Sequence, residues 1–213
     1  MKLEINKTSF TDAIKFLGKD DILGRYVKNI EPPKININED YFFSLCRYII
    51  FQQLSIKSAS ATFSRFTSLL NNNISAEQVL KQKENKLKDT GMSFRKVEYL
   101  RILSQSFLDN SSYVGLKKMS NDDIIKTLSS IKGIGTWTSE MFLIFSMGRI
   151  DVFSNKDIGL LNAIKIIFNL EVRPNFDEAD KIAKRWSPYR TIASLYLWKI
   201  LAVSYTHLRA HET

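Results

Sequence analysis

Cysteine and histidine are nearly absent from this sequence. Cys46 is the only cysteine, which excludes an intrachain disulfide, a cysteine-rich zinc site and a cysteine-ligated iron–sulfur cluster. It lies inside the apolar stretch 41–54, where a small buried side chain is expected rather than a reactive thiol. Both histidines, His207 and His211, fall in the terminal segment 204–213. The rest of the chain therefore has no imidazole for catalysis or metal binding, and we expect no metal and no other cofactor.

Long apolar runs are also missing. None approaches the roughly 18 residues that a membrane span needs, and no basic-then-apolar signal peptide opens the chain. We therefore expect a soluble, cytoplasmic protein with no membrane partner. The segment 204–213 lacks apolar periodicity, and we expect it to be an unstructured or non-native tail.

Positive charge is in excess. Lysine and arginine number 31 against 22 acidic residues, which gives a net charge of +9. This balance is compatible with a polyanionic partner such as nucleic acid, although a generally basic protein without such a partner has the same charge. At 213 residues the chain is long enough for a single compact domain with a substantial core.

Apolar residues recur at three- and four-residue spacing along most of the chain, and β-type alternation is scarce. The pattern predicts an all-α protein. The predicted helices cover residues 11–27, 41–54, 59–70, 76–80, 95–107, 122–131, 137–147, 158–168, 176–186 and 191–203.

A Gly-x-Gly turn separates two of these predicted helices. The turn holds Gly133, Ile134 and Gly135, and it is preceded by Lys132. Backbone N–H groups at the start of the second helix lack partners within that helix, and glycines let a phosphate approach them closely. The turn therefore predicts a backbone site for an anion. An ordinary turn between helices is the alternative interpretation.

Four separated segments, at residues 49–55, 91–100, 128–157 and 186–198, resemble the alkylpurine DNA glycosylases of the helix-hairpin-helix superfamily, of the DNA-3-methyladenine glycosylase II type. The resemblance implies a single all-α domain over residues 1–203. Its central helical lobe, residues 36–150, would face a second lobe made of 1–35 and 151–203, with the active site in the cleft between them. It also implies a monofunctional enzyme of base excision repair that hydrolyses the N-glycosidic bond of alkylated purines in damaged double-stranded DNA. We expect a monomer.

The same resemblance makes Asp157 the catalytic carboxylate. The family usually has proline where this chain has Ser154, which leaves the carboxylate in place. Taken by itself, Asp157 is typical of a helix N-cap before the apolar segment that follows it, and the two roles are compatible. Asp151, in the same loop, is the second candidate.

Trp137 and Trp198 match positions that line the base pocket of the family, and Tyr189 is a further candidate for the pocket. Each could instead belong to the core. Relatives that also cut the DNA strand resemble this hairpin but have a lysine at position 137, which forms an imine with the sugar. An indole cannot form an imine, so the resemblance predicts no lyase activity by that route.

Gln53 or Leu54 matches the side chain that fills the gap left by a flipped nucleotide, although both could simply pack between helices. Phosphate contacts are expected from Gly133, Gly135, Ile134 and Lys132, with Lys57, Arg95 and Lys96 as further candidates. Two other functions stay open: a helix-hairpin-helix DNA-binding module without catalysis, and a helical scaffold without nucleic acid. Neither explains Asp157 together with two pocket tryptophans.

Overall fold

The computed structural model describes Ile5, residues 7–109 and residues 111–210, and this part of the chain is built from helices and loops without a strand. The all-α prediction is therefore confirmed. Helices α1 to α12 span Lys7–Leu17, Leu23–Asn29, Tyr41–Phe51, Ile56–Leu69, Ala76–Lys81, Glu84–Asp89, Phe94–Asp109, Asn121–Ser129, Thr136–Phe145, Ile158–Ile167, Phe176–Ala183 and Arg190–Ala210. Two 3-10 helices cover Ser111–Lys118 and Lys184–Trp186.

Short polar side chains set the start of seven of the twelve described α-helices. In each case a side-chain oxygen of the residue before the helix accepts a hydrogen bond from a backbone N–H of the first turn, which otherwise has no partner in the helix. A cap of this kind contributes about 1 kcal/mol. The capping residues are Asp40, Ser55, Ser75, Ser93, Ser120, Asp157 and Asn175.

The described chain divides into two compact units. Residues 38–147 form one of them, in which α3 packs against α4, α7 and α9. Its core contains the fully buried side chains of Leu45, Ile49, Leu100 and Phe142. Cys46 is also fully buried, and burial raises the pKa of its thiol well above the usual value. A thiol in that environment is inert.

The other unit combines residues 1–37 with residues 148–213. Helix α12 is its centre, and α1, α2 and α10 pack against it. Trp186 and Tyr196 are the largest fully buried side chains of this unit. Thr191 Oγ1 donates to Arg149 O at 2.7 Å and accepts from Val152 N–H at 3.0 Å, so the loop before α10 is attached to the first turn of α12.

Two helix predictions need correction. The predicted helix 11–27 is broken into α1 and α2, because Asp20 Oδ1 accepts hydrogen bonds from the N–H groups of Ile22 and Leu23 and starts a new helix there. The segment 204–210, part of the tail 204–213 that was expected to be unstructured or non-native, is the helical end of α12. Extending an existing helix requires no new nucleation, so the packed turns of α12 favour the helical conformation of the last turns. Residues 211–213, including His211, lie outside the described residues.

No helix in the described ranges is both long enough and apolar enough to cross a membrane.

Candidate active site

Asp157 is the residue immediately before α10. Its backbone is extended, with φ −76° and ψ 111°, and its Oδ1 accepts the N–H of Leu160 at 2.9 Å. The same oxygen accepts the indole Nε1–H of Trp198, on α12, at 3.1 Å. Both side chains are half-buried. The structure thus brings together two of the residues that the sequence singled out, a carboxylate and an indole that are 41 positions apart.

Gly159 leaves the space in which Asp157 and Trp198 meet. A Cβ atom at position 159 would lie 3.0 Å from Asp157 Oδ1 and 3.3 Å from Cδ1 of Trp198. These separations are shorter than ordinary van der Waals contacts, so any side chain here would displace one of the two groups. Sequence analysis missed this role, because Gly159 looks like an unremarkable position in the first turn of a helix.

The loop that carries Asp157 is attached at several points within its own unit. Ser154 is fully buried, and its carbonyl accepts the N–H of Asp157 at 3.1 Å. Asn155 Nδ2 donates to Asp180 Oδ2, on α11, at 2.6 Å. The backbone at position 157 is therefore held by packing and hydrogen bonds although the chain has serine where the family usually has proline.

Asp151, the second candidate, forms an ion pair and hydrogen bonds within its own unit. Its carboxylate forms a two-pronged ion pair with the Arg190 guanidinium, at 2.7 Å from Oδ1 to Nε and 3.0 Å from Oδ2 to Nη2. The Arg190 backbone N–H donates to Oδ1 at 3.1 Å, and the Ser187 hydroxyl donates to Oδ2 at 2.9 Å. Burial acts to raise the pKa of Asp151, but the hydrogen bonds and positive charge of Arg190 outweigh it and lower this pKa. The two aspartates of this loop therefore have different environments.

The other two aromatic candidates belong to other segments of the chain. Tyr189 is half-buried and makes an edge-to-face contact with Phe16 of α1, with ring centroids 5.4 Å apart. Trp137 is half-buried in the first turn of α9, which belongs to the 38–147 unit. Trp137 and Tyr189 are therefore both less buried than Trp186, which is fully buried in the core.

The Gly-x-Gly turn lies between α8 and α9, as the sequence predicts. Gly133 has φ +97°, and a Cβ atom there would fall 2.2 Å from Cγ of Tyr99. Glycine is therefore required both by the backbone and by the aromatic ring packed on it. Gln52 Nε2 donates to Gly133 O at 3.0 Å and to Thr138 Oγ1 at 3.1 Å, so the end of α3 holds the hairpin in shape.

Gly135, the second glycine of the turn, faces open space. It is the N-cap of α9 with φ −102°, no side chain caps this helix, and nothing lies within 4 Å of the position that a Cβ would occupy. The protein itself thus gives no steric reason for glycine here. Ile134 differs, because its side chain is buried and its N–H donates to Ile131 O at 3.0 Å. The space in front of the first turn of α9 suits an anion at Gly135 better than at Ile134.

Two lysines from the sequence analysis make intramolecular contacts. The ammonium group of Lys96 donates to Ile50 O at 2.7 Å and to Gln52 O at 2.8 Å, and partial burial lowers the pKa of Lys96. It caps the C-terminal end of α3, so its assignment as a phosphate contact is not supported by this geometry. Lys132 is exposed and pairs with Glu98, whose carboxylate raises the pKa of Lys132.

The turn between α3 and α4 presents apolar and polar side chains to solvent. Gln53 has φ +54°, a conformation that non-glycine residues rarely adopt, and its side chain is exposed. Leu54 is 40% exposed and Ile56 is 80% exposed. Gln53 and Leu54 are therefore both accessible from solvent. Sequence analysis missed Ile56, because its three-residue spacing from the buried Ala59 fits the apolar periodicity of α4 and predicts burial.

A surface pocket of about 480 Å³ adjoins this turn within the 38–147 unit. Phe94, at its wall, is 58% exposed, and the Lys88 ammonium lies 4.1 Å from the centroid of the Phe94 ring. Aromatic and basic groups on one surface are typical of nucleic-acid contacts. The pocket is lined by Gln52, Gln53, Ser93, Phe94, Arg95, Lys96 and Tyr99.

Comparison with known proteins gives a consistent family assignment. Residues 46–188 match the HhH-GPD superfamily base excision DNA repair proteins. DNA-3-methyladenine glycosylase 1 of Schizosaccharomyces pombe is 32% identical over 200 residues, which cover 90% of this chain and 88% of that protein. The alkylbase DNA glycosidase-like protein mag2 of the same organism is 30% identical over 181 residues, which cover 82% of this chain and 85% of that protein.

Solved structures include a similar fold. The S. pombe 3-methyladenine DNA glycosylase Mag1, in complex with abasic DNA, superposes with a TM-score of 0.81 at 31% identity. The superposition covers 88% of this chain and 95% of that one. The family match covers more than half of the chain and includes both the Gly-x-Gly hairpin and Asp157. This protein belongs to the HhH-GPD superfamily of base excision DNA repair proteins.

Proposed function

We propose that this protein is a monofunctional DNA glycosylase that hydrolyses the N-glycosidic bond of alkylated purines, such as 3-methyladenine, in duplex DNA. The names of its relatives support the reaction, and the abasic DNA bound to Mag1 is the product that such a reaction leaves. The observation that carries the proposal for this chain is the placement of Asp157 at the start of α10 with the Trp198 indole on its carboxylate.

Asp157 supplies the negative charge that the reaction needs. Cleavage of a glycosidic bond builds positive charge on the sugar, and a fixed carboxylate stabilises that charge and can orient or deprotonate the attacking water. A carboxylate held by hydrogen bonds from Leu160 and Trp198 does this without reorganising during the reaction. Asp151 is less suited, because Arg190 already neutralises its charge.

Trp137, Trp198 and Tyr189 are the proposed contacts of the flipped base. An alkylated purine carries positive charge, and the electron-rich faces of indole and phenol rings attract cations. Stacking on aromatic side chains is also the usual way in which an extruded base is held. All three rings are half-buried, so part of each remains accessible to a base.

The hairpin and the α3–α4 turn are the proposed DNA contacts. Backbone N–H groups near Gly133 and Gly135 would hold a phosphate without reading sequence, which suits an enzyme that acts at any position. Gln53 or Leu54 would fill the gap in the base stack, and the exposed Ile56, two positions after Leu54, would offer DNA a further apolar side chain. The left-handed backbone of Gln53 is a strained feature of the kind that persists at functional sites.

We further propose that the enzyme lacks lyase activity. Strand cleavage through an imine requires a side-chain amine that reacts with the sugar, and position 137 holds tryptophan instead. Lys132, the nearest lysine in the sequence, is paired with Glu98. Borohydride should therefore fail to trap the wild-type protein on damaged duplex DNA, and strand breaks should appear only after alkali. Covalent trapping would refute the monofunctional assignment.

Asp157→Asn tests the proposed function most directly. The amide keeps the size and capping ability of the aspartate but removes its charge, so the protein should fold and bind DNA normally. Loss of one electrostatic stabiliser commonly costs about 10²–10³ in rate, and we expect a loss of at least this size in single-turnover excision from a hypoxanthine duplex.

Asp40→Asn is the matched control, because Asp40 caps α3 as Asp157 caps α10. The control should excise at the wild-type rate. If Asp157→Asn also excised at the wild-type rate, Asp157 would not be the catalytic residue. If wild-type protein bound damaged duplex DNA without excising any modified purine, the protein would be a DNA-binding module instead.

A further inference from the structure

Trp198 contacts the proposed catalytic carboxylate through the N–H group at the edge of its indole ring. Nε1–H donates to Oδ1 of Asp157 at 3.1 Å, and this oxygen is also the acceptor of the N-cap bond from Leu160. A residue that only stacked on a base would need its ring face and no hydrogen-bond donor. The N–H contact therefore requires a separate explanation.

We propose that Trp198 is a positioning residue, whose indole N–H sets the orientation of the Asp157 carboxylate for attack on the glycosidic bond. This inference rests on the proposed function of Asp157. The terminal torsion of an aspartate has a broad, roughly two-fold energy profile, so a single N-cap bond leaves the carboxylate plane free to rotate. A second donor on the same oxygen, from a different direction and a different helix, fixes that plane.

The donor is held on a rigid support. Trp198 lies on α12, and α10 packs along that helix within the same unit. Its neighbours Leu197 and Ile200 are buried at 0% and 3% exposure. The helix that carries the indole is therefore held by core packing, while the carboxylate is placed by the first turn of α10. A hydrogen bond between two groups that are positioned independently transmits the rigidity of the core to the carboxylate.

Gly159 provides a second observation of the same arrangement. Its missing side chain leaves the space where Asp157 Oδ1 and the indole edge converge, at 3.0 Å for Oδ1 and 3.4 Å for Nε1 from the position of a Cβ. Even an alanine would push one of the two groups away by a few tenths of an ångström. The first turn of α10 thus accommodates the contact between the carboxylate and the indole.

Trp198→Phe separates the two roles, because phenylalanine keeps an aromatic face but has no N–H. The probe is a duplex with a single 7-methylguanine, whose positive charge makes it a good leaving group and keeps slow rates measurable. We expect single-turnover excision to fall roughly 10- to 100-fold, as for loss of a hydrogen bond to a charged group. The Kd for a duplex with a tetrahydrofuran abasic analogue should change by less than about threefold, since the backbone contacts remain.

The same substitution in the Asp157→Asn protein shows whether Trp198 acts through Asp157. If it does, adding Trp198→Phe to the Asp157→Asn protein should slow excision by less than about twofold, because the effects of two residues that act as one unit on the rate are not additive. Gly159→Ala is the second variant: it should slow excision while leaving the melting temperature unchanged or higher, since alanine favours a helix more than glycine does.

The outcomes are distinct. The positioning role would be overturned if the Trp198→Phe protein excised at the wild-type rate. It would also be overturned if Trp198→Phe slowed excision equally in the wild-type and Asp157→Asn proteins. In both cases the catalytic assignment of Asp157 would stand. Wild-type excision by Asp157→Asn would overturn the catalytic assignment and the positioning role with it.

Discussion

The two glycines of the hairpin should respond to alanine in opposite ways. Gly133→Ala introduces a Cβ at φ +97° that would overlap the Tyr99 ring at 2.2 Å. The unfavourable backbone region costs about 1–3 kcal/mol, and forcing an extra carbon into a packed site costs about 1–3 kcal/mol more. We therefore expect the free energy of unfolding to fall by about 2–6 kcal/mol.

Gly135→Ala should instead leave folding intact and weaken DNA binding. Its φ of −102° is accessible to alanine and nothing lies within 4 Å of the new Cβ, so stability should change by no more than about 0.5 kcal/mol. If a phosphate occupies that open space, the methyl group displaces it. Loss of a hydrogen bond to a charged group costs about 1.5–3 kcal/mol, or roughly 10- to 150-fold in Kd.

Both variants can be measured with the same two assays. Urea unfolding gives the free energy of unfolding, and fluorescence anisotropy at fixed salt gives the Kd for a duplex with an abasic analogue. If Gly135→Ala bound DNA as tightly as the wild-type protein, the backbone anion site would be placed wrongly. Wild-type stability of Gly133→Ala would refute the packing argument at Tyr99.

Two further substitutions test the structural roles of Asp151 and Lys96. Asp151→Asn removes a carboxylate whose pKa Arg190 lowers, against the opposing effect of burial. A carboxyl with a lowered folded-state pKa stabilises the protein above its unfolded pKa of about 3.9 and loses that contribution as the pH falls through the folded value. The variant should be about 1–3 kcal/mol less stable at pH 7, and this deficit should shrink on acidification in urea unfolding; an equal deficit at pH 7 and pH 2.5 would contradict the ion-pair explanation. Lys96→Met removes the cap of α3 and should lower stability by about 1–3 kcal/mol without changing the salt dependence of DNA binding. Lys57→Met, which replaces an exposed lysine, should leave the urea midpoint unchanged, and a loss of stability there equal to that of Lys96→Met would refute the capping role of Lys96.

Local features of the sequence determine much of this protein. The capping side chains Ser120 and Asp157 begin helices where the pattern places them, and Gly133 and Gly135 mark the hairpin. The apolar periodicity predicts an all-α protein and the burial of Cys46. These features depend on interactions within a few positions of the chain, so a linear sequence contains the information needed to infer them.

The distinction between the two aspartates of one loop depends on the tertiary structure. Asp151 and Asp157 are the same residue type six positions apart, and nothing local separates them except the capping pattern and the family resemblance. Their partners lie 39 and 41 positions further along the chain, where Arg190 neutralises Asp151 and the Trp198 indole binds Asp157. Only folding brings α12 against this loop. Whether a carboxylate pairs with an arginine, as Asp151 does, or accepts an indole N–H, as Asp157 does, is set by long-range packing, which sequence spacing alone does not reveal.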